Sequence, residues 1–446
     1  MRNSARPQSS RSRQPAGRRA GSRTAAATWA CAAPAAWAAL IFLVGLYIHL
    51  TYYPIGNVGV ETDFYGGMAP AAQKLSAGDF SVTDYPYRGP FYSVVLVLVN
   101  LLVRDWYHSG VLLNLLCAAG SILLISRLHG RLYNRSVALA TAVFTSLLYP
   151  FFIDAHKATS DHLFLFLALL SISLVIRDRA VAWRLFAGGV VCALAFLTRY
   201  NGVLLAFGAG IALLVVNPDR ASWKRRLVWC GVFLLGFLIV SAPWFAKSLV
   251  ETGQLLWTKN IKNITMAFYG ASAGGDDPAK EFESLGDLIA SDRGYFVSRL
   301  GRNLVDHLGN DLRYLIDRAG SILVLLGVVR LLLRAPTRRQ WALYSFAGVY
   351  FTGMGLVFYL PRFFVFLAVT YYALAFCVLF GSGGGRETAL GLRARQLWRA
   401  RAARGIRRSI TAIQGVPRFR VVCICIVLVL LGGMKLRATI HLEQAY

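Results

Sequence analysis

Four acids, Glu61, Asp63, Asp79 and Asp84, share one short stretch, GVETDFYGGMAPAAQKLSAGDFSVTDYPYRGPFY, of a chain that is apolar almost everywhere else. Carboxylates in such a loop either keep it solvated or exchange protons with a substrate. A second group lies in FFIDAHKATSDHLFLFLALL. There Asp154, His156, Asp161 and His162 combine carboxylate with imidazole, donor types that suit Mg²⁺, Mn²⁺ or Zn²⁺. Plain alternatives stand beside that reading. Ser160 or Asp161 can cap the helix that follows, Lys157 can pair with Asp161 four residues on, and the histidines can be polar interface residues. Two isolated arginines, Arg199 in LTRYNG and Arg362 in YLPRFF, occupy tight turns between apolar runs. A guanidinium stays charged and offers two parallel donors, the geometry a phosphate accepts, although snorkelling to lipid headgroups is a competing use.

The elements that must position these residues are membrane helices. Of the 446 residues, 56% are hydrophobic and only 15% charged, which excludes an ordinary soluble enzyme. The net charge of +27 would suggest nucleic acid as partner in a soluble protein. Here the basic residues fall in short runs between apolar segments and report membrane orientation, so no nucleic-acid partner is expected. The seven cysteines lie in or beside apolar runs, with neither zinc spacing nor an exported disulfide framework.

Eleven apolar runs qualify as crossings: Trp29 to Leu50, Ser109 to Ile125, Ser136 to Ile153, His162 to Ile176, Ala182 to Leu197, Gly202 to Val216, Leu227 to Val250, Ala319 to Leu333, Trp341 to Leu360, Phe363 to Phe380 and Val421 to Leu436. A twelfth, Phe91 to Val103 (FYSVVLVLVNLLV), rises only about 20 Å as a helix against a hydrocarbon core of about 30 Å. We read it as interfacial or re-entrant. On that reading the inner segments hold 31 of the 48 basic residues and only three acids, Asp178, Asp219 and Glu387. If it crossed, Arg127 to Arg135 and every later basic loop would face outward, against the bias that orients such proteins.

The expected architecture is therefore all-α and polytopic, with about 11 transmembrane helices, outer-face interfacial helices and one large outer loop. Residues 1–28, with seven arginines and no acid, are expected to be a disordered cytoplasmic tail. Residues 29–380 form the transmembrane body, with outer loops at about 51–108 and 251–318. A basic cytoplasmic segment follows at 381–420, then the last helix and an outer tail at 421–446.

Together these features resemble the GT-C superfamily of integral membrane glycosyltransferases, in its bacterial branch related to protein mannosyltransferases and lipid A aminoarabinose transferases. The resemblance runs from about Trp29 to Phe380. It is carried by Asp63, Tyr65, Ala72 and Gly78 after the first crossing, by YRGPFY, SDHLFLFLALLS, LTRYNGVLL and SAPWFAKSLVETG, and by PRFF late in the chain. It implies transfer of a sugar from a polyprenyl-phosphate donor to the hydroxyl of a glycan, lipid or protein acceptor, with inversion, at the outer face of the cytoplasmic membrane. Asp63 is then the general base, with Glu61 as the alternative acid because ETD separates what is usually a carboxylate pair. Arg362, Arg199 and Lys157 are expected at the donor phosphate, and Asp161, His162 and His156 are candidate ligands for a divalent ion, with a metal-independent route also open. The competing function is a lipid-linked oligosaccharide polymerase, ligase or translocase, which would depend on Arg302 or His307 in the late loop rather than on Asp63. A transporter should carry charges in mid-membrane, and the apolar runs hold almost none.

Overall fold

The computed structural model describes residues 18–57, 61–177, 180–270, 282–381 and 386–387. These form sixteen α-helices: α1 (Arg18–Tyr52), α2 (Ala69–Ser76), α3 (Phe91–Val103), α4 (Trp106–Leu132), α5 (Arg135–Ser146), α6 (Tyr149–Ala155), α7 (Asp161–Val175), α8 (Ala182–Thr198), α9 (Val203–Ile211), α10 (Trp223–Thr252), α11 (Asn260–Tyr269), α12 (Leu285–Ser291), α13 (Arg293–Asn310), α14 (Arg318–Leu333), α15 (Arg338–Met354) and α16 (Pro361–Phe380). A two-residue antiparallel pair joins β1 (Arg334–Ala335) to β2 (Arg386–Glu387). Helices predominate because only they satisfy every backbone donor and acceptor within a single segment in hydrocarbon.

Ten of the eleven expected crossings fall on helices, and Val421 to Leu436 lies outside the described residues. Residues 32–52 of α1 and the whole of α4, α10 and α16 are each long and apolar enough to cross alone. The third crossing is not one straight rod. α5 and α6 meet at a 64° bend, with Pro150 in the first turn of α6, where its missing N–H costs nothing. Of the expected tail, residues 1–17 lie outside the described residues, and Arg18 to Thr28 continue into α1.

α16 sits at the centre, largely buried, against α5, α14 and α15. α10 is peripheral and turns Leu234, Leu235, Leu238 and Ile239 outward, the apolar surface a lipid-facing helix needs. α8 and α10 are held backbone to backbone by small residues. A methyl group on Gly189 would collide with the Phe233 carbonyl, and one on Gly236 with the Phe186 carbonyl.

α3 does not run alongside the long helices. Tyr92 near its start approaches Gly110, and Asn100, about 12 Å further along the helix axis, accepts from Ser109 at 3.2 Å. Both ends of α3 thus lie over the first turns of α4. His49 near the end of α1 meets His108 at 2.8 Å, so α1 finishes where α4 begins, and α3 sits across that end of the bundle. The opposite end gathers the other set of turns: Tyr133 with Tyr344, Gln340 with the Leu132 carbonyl, and Asn134 with the Gly381 carbonyl.

Candidate active site

The end of the bundle under α3 brings together residues that are far apart in sequence. Asp63 stands just before a wide π-helical turn, Phe64–Met68, that leads into α2. Its Oδ2 accepts from Arg362 Nη2 at 3.2 Å and lies 3.7 Å from Arg88 Nη2, while no hydrogen bond or ion pair among the described residues falls on Oδ1. The Asp63 side chain is 51% exposed, so it borders open space rather than core.

Arg362 is delivered by the first turn of α16, and Arg199 by the turn after α8. Arg199 donates to Asp161 Oδ1 at 2.5 Å and reaches Ser160 Oγ at 3.5 Å. The two guanidinium carbons lie 4.6 Å (Arg199) and 5.4 Å (Arg362) from the Phe363 ring centroid, an arrangement that orients both cations. A cavity of about 370 Å³ opens beside them, with Asp154, Asp161, Arg199 and Arg362 as its charged members and Phe151, Leu165 and Phe366 among its apolar walls. A second cavity of about 620 Å³ is bordered by Asp63, Asp84, Arg88 and several tyrosines. The Asp63–Arg362 pair joins the two.

Arg88 belongs to YRGPFY but was not among the expected site residues. Its place is set by Gly89, whose Cα can pack against Leu197 at the end of α8 only because a Cβ is absent; a Cβ would stand 2.7 Å from the Leu197 Cα. The segment after α10 fixes the same strand of chain: Lys259 N–H donates to the Pro86 carbonyl at 2.7 Å and Asn260 Nδ2 to the Tyr87 carbonyl at 3.2 Å. Glu251 at the end of α10 accepts from Val82 N–H at 2.7 Å. Burial pushes the Arg88 guanidinium pKa down and Asp63 opposes that push, yet an arginine remains charged at any physiological pH.

Other expected residues fall elsewhere. Glu61 is buried and accepts from Asn57 N–H at 3.1 Å; burial raises its pKa, and it borders neither cavity. Lys157 lies in the loop before α7, so it is not on a helical face with Asp161, whose partner is Arg199 instead; nor does Lys157 line either cavity. Ser160 is the residue before α7 but makes no side-chain cap. The set Asp161, His162 and His156 does not converge. His162 Nε2 bonds the Phe151 carbonyl at 2.8 Å, and the His156 ring stacks on Tyr53. Among the described residues no three His, Cys, Asp or Glu side chains could share an ion. Asp63 and Asp161 each have a guanidinium partner instead.

A family profile described as dolichyl-phosphate-mannose-protein mannosyltransferase matches residues 86–245. The fold is similar to ArnT from Cupriavidus metallidurans bound to undecaprenyl phosphate, at 16% identity and a TM-score of 0.51, over 82% of this chain and 63% of that one. It is also similar to the oligosaccharyltransferase AglB of Archaeoglobus fulgidus in complex with an inhibitory peptide and a dolichol-phosphate. There the identity is 14% and the TM-score 0.47, over 80% of this chain and 48% of that one. The chain thus spans less than two thirds of the length of either structure. No curated protein matches it in sequence. The profile match over about a third of the chain and the shared fold make this protein similar to the GT-C glycosyltransferases, and its long apolar helices make it a multi-pass membrane protein.

Proposed function

We propose that the protein is a glycosyltransferase that moves a sugar from a polyprenyl-phosphate donor to an acceptor hydroxyl, with inversion, at the outer face of the cytoplasmic membrane. The observation that carries this reading is the position of Asp63, at the joint between two cavities with one oxygen held by two arginines. The acceptor hydroxyl approaches from the larger cavity and gives its proton to Asp63 Oδ1. Its oxygen forms the new bond to the anomeric carbon as the bond from that carbon to the phosphate oxygen breaks. The lipid phosphate leaves with the electron pair, and its charge is met by Arg362, Arg88 and Arg199 in a site walled by aromatic and aliphatic side chains, where such contacts are strong. Fixed guanidinium donors beside the smaller cavity suit a phosphate, and its apolar walls suit the start of an isoprenoid chain. The match to ArnT, a structure that holds undecaprenyl phosphate, supports a lipid-linked donor.

A ligase or polymerase working through Arg302 or His307 is less well supported. His307 is buried against Tyr359 and Phe364, Arg302 is exposed, and neither borders the two cavities. The test is sugar transfer from labelled polyprenyl-phosphate sugars by purified protein. Asp63→Asn should lower the rate by about 100-fold or more, the usual worth of a positioned base. Loss of transfer in His307→Gln with Asp63→Asn still active would support the ligase reading instead.

A further inference from the structure

At the end of the bundle opposite Asp63, a basin of about 1270 Å³ is bordered by Arg131, Arg220, Arg338 and Arg339. We infer that this basin is a second anion site, for a ligand that presents a phosphate group. Four separate elements supply its wall: the end of α4, the turn after α9, the loop after β1 and the start of α15.

The preference for basic inner loops accounts for how many arginines lie at this end. It does not account for their convergence on one hollow. Like charges brought together repel, so a concave group of four is maintained by local structure. Arg338 Nη1 donates to the Asn217 carbonyl at 3.2 Å, and Gln340 ties α15 to the last carbonyl of α4 at 2.9 Å. Both anchors are neutral and leave the charge in place.

Two further observations point the same way. Asn217 and Arg220 both adopt left-handed backbone conformations, with φ of 50° and 55°, within one turn. The Asn217 side chain closes that turn through two bonds to Ala221, at 2.7 and 2.9 Å. Such conformations are uncommon outside glycine and asparagine, and here they put Arg220 at the basin while the neighbouring Asp219 accepts from Ala180 N–H at 2.6 Å and stays off its wall. The start of α15, a 17-residue helix with a complete capping box from Thr337 and Gln340, also borders the basin and brings the positive end of its dipole. Planar arginine forks beside a helix N-terminus make a phosphate site rather than a carboxylate-selective or neutral one. The phosphate can belong to an anionic phospholipid headgroup, as basic pockets between membrane helices commonly bind, or to a soluble phosphate.

The experiment uses the full chain purified in neutral detergent, with thermal unfolding followed while phosphatidylglycerol, phosphatidylcholine or inorganic pyrophosphate is titrated in. Phosphatidylglycerol should raise the midpoint saturably and phosphatidylcholine should not. Stabilisation by phosphatidylglycerol alone identifies a lipid headgroup; equal stabilisation by pyrophosphate identifies the phosphate itself. The double variant Arg220→Gln with Arg338→Gln should weaken the stabilising ligand by roughly tenfold or more, the worth of lost charged hydrogen bonds. The charge-conserving pair Arg220→Lys with Arg338→Lys leaves the count of inner cations unchanged and should retain part of the binding. Unchanged binding in the Gln variant, or no stabilisation by either phosphatidylglycerol or pyrophosphate beyond that of phosphatidylcholine, would overturn the inference. Asp63→Asn should bind as wild type does, because the two sites stand at opposite ends.

Discussion

Asp63 and Glu61 are two residues apart and occupy different environments. Asp63 is half exposed and shares one oxygen between Arg362 and Arg88, whereas Glu61 folds back on Asn57 and is nearly closed off. The ETD sequence left both acids as candidates for the base, because spacing in a loop does not tell which side chain faces a cavity. Glu61→Gln is therefore expected to keep transfer within about tenfold of wild type, in contrast to the loss at Asp63. Glu61 also has a stability signature. Burial raises its folded-state pKa, so the native protein holds this proton more firmly than the unfolded chain, and the contribution to stability falls as pH rises past the unfolded carboxylate value. The midpoint for Glu61→Gln should equal or exceed wild type at pH 8, with the gap closing toward pH 4. Arg199 and Arg362 were legible as phosphate-binding candidates from residue type and turn position. Their pairing with Asp161, 38 residues away, and Asp63, 299 residues away, was not, because it exists only after the helices pack.

The turns carrying these residues depend on how neighbouring elements meet. Gly89 lets the segment bearing Arg88 rest on the end of α8. Gly89→Ala should leave the protein folded with an activity loss on the order of 100-fold, since a displacement of about 1 Å at a positioned group costs that much. A comparable device holds the first turn of α16. Asp311, fully buried in the π-helical turn after α13, accepts from Tyr359 at 3.0 Å and Tyr371 at 2.9 Å, and so ties the end of α13 to both sides of the Arg362 turn. Burial pushes the Asp311 carboxyl up to about 7. A raised acid favours the folded state below the unfolded value near 4 and loses that advantage as pH climbs through 7. Wild-type stability should therefore decline between about pH 4 and 7, and Asp311→Asn should flatten that window. Asp311→Ala would strand two tyrosine hydroxyls and cost about 1–3 kcal/mol. The third crossing shows what periodicity misses at this scale. An unbroken apolar run from Ser136 to Ile153 reads as one helix, and Pro150 marks where the chain turns instead.

Across the whole molecule, the placement of α3 decides which ends of the helices meet. Its shortness and the distribution of basic residues predict that it does not cross; in the structure it lies over the first turns of α4. The site acids and the arginine-rich basin consequently stand at opposite ends. Composition and loop charge made that bipolar plan legible, because hydrophobic length and charge asymmetry act over tens of residues. The convergence of histidines and acids on a metal was not realised, since the backbone turns His156 toward Tyr53 and leaves His162 under Phe151. We propose that Asp63 performs the proton transfer while the arginines hold the donor. Single-turnover transfer by Asp63→Asn, measured beside donor binding, tests it most directly. The chemical step should slow about 100-fold or more, with donor affinity within about threefold of wild type. An unchanged chemical step in Asp63→Asn would contradict it.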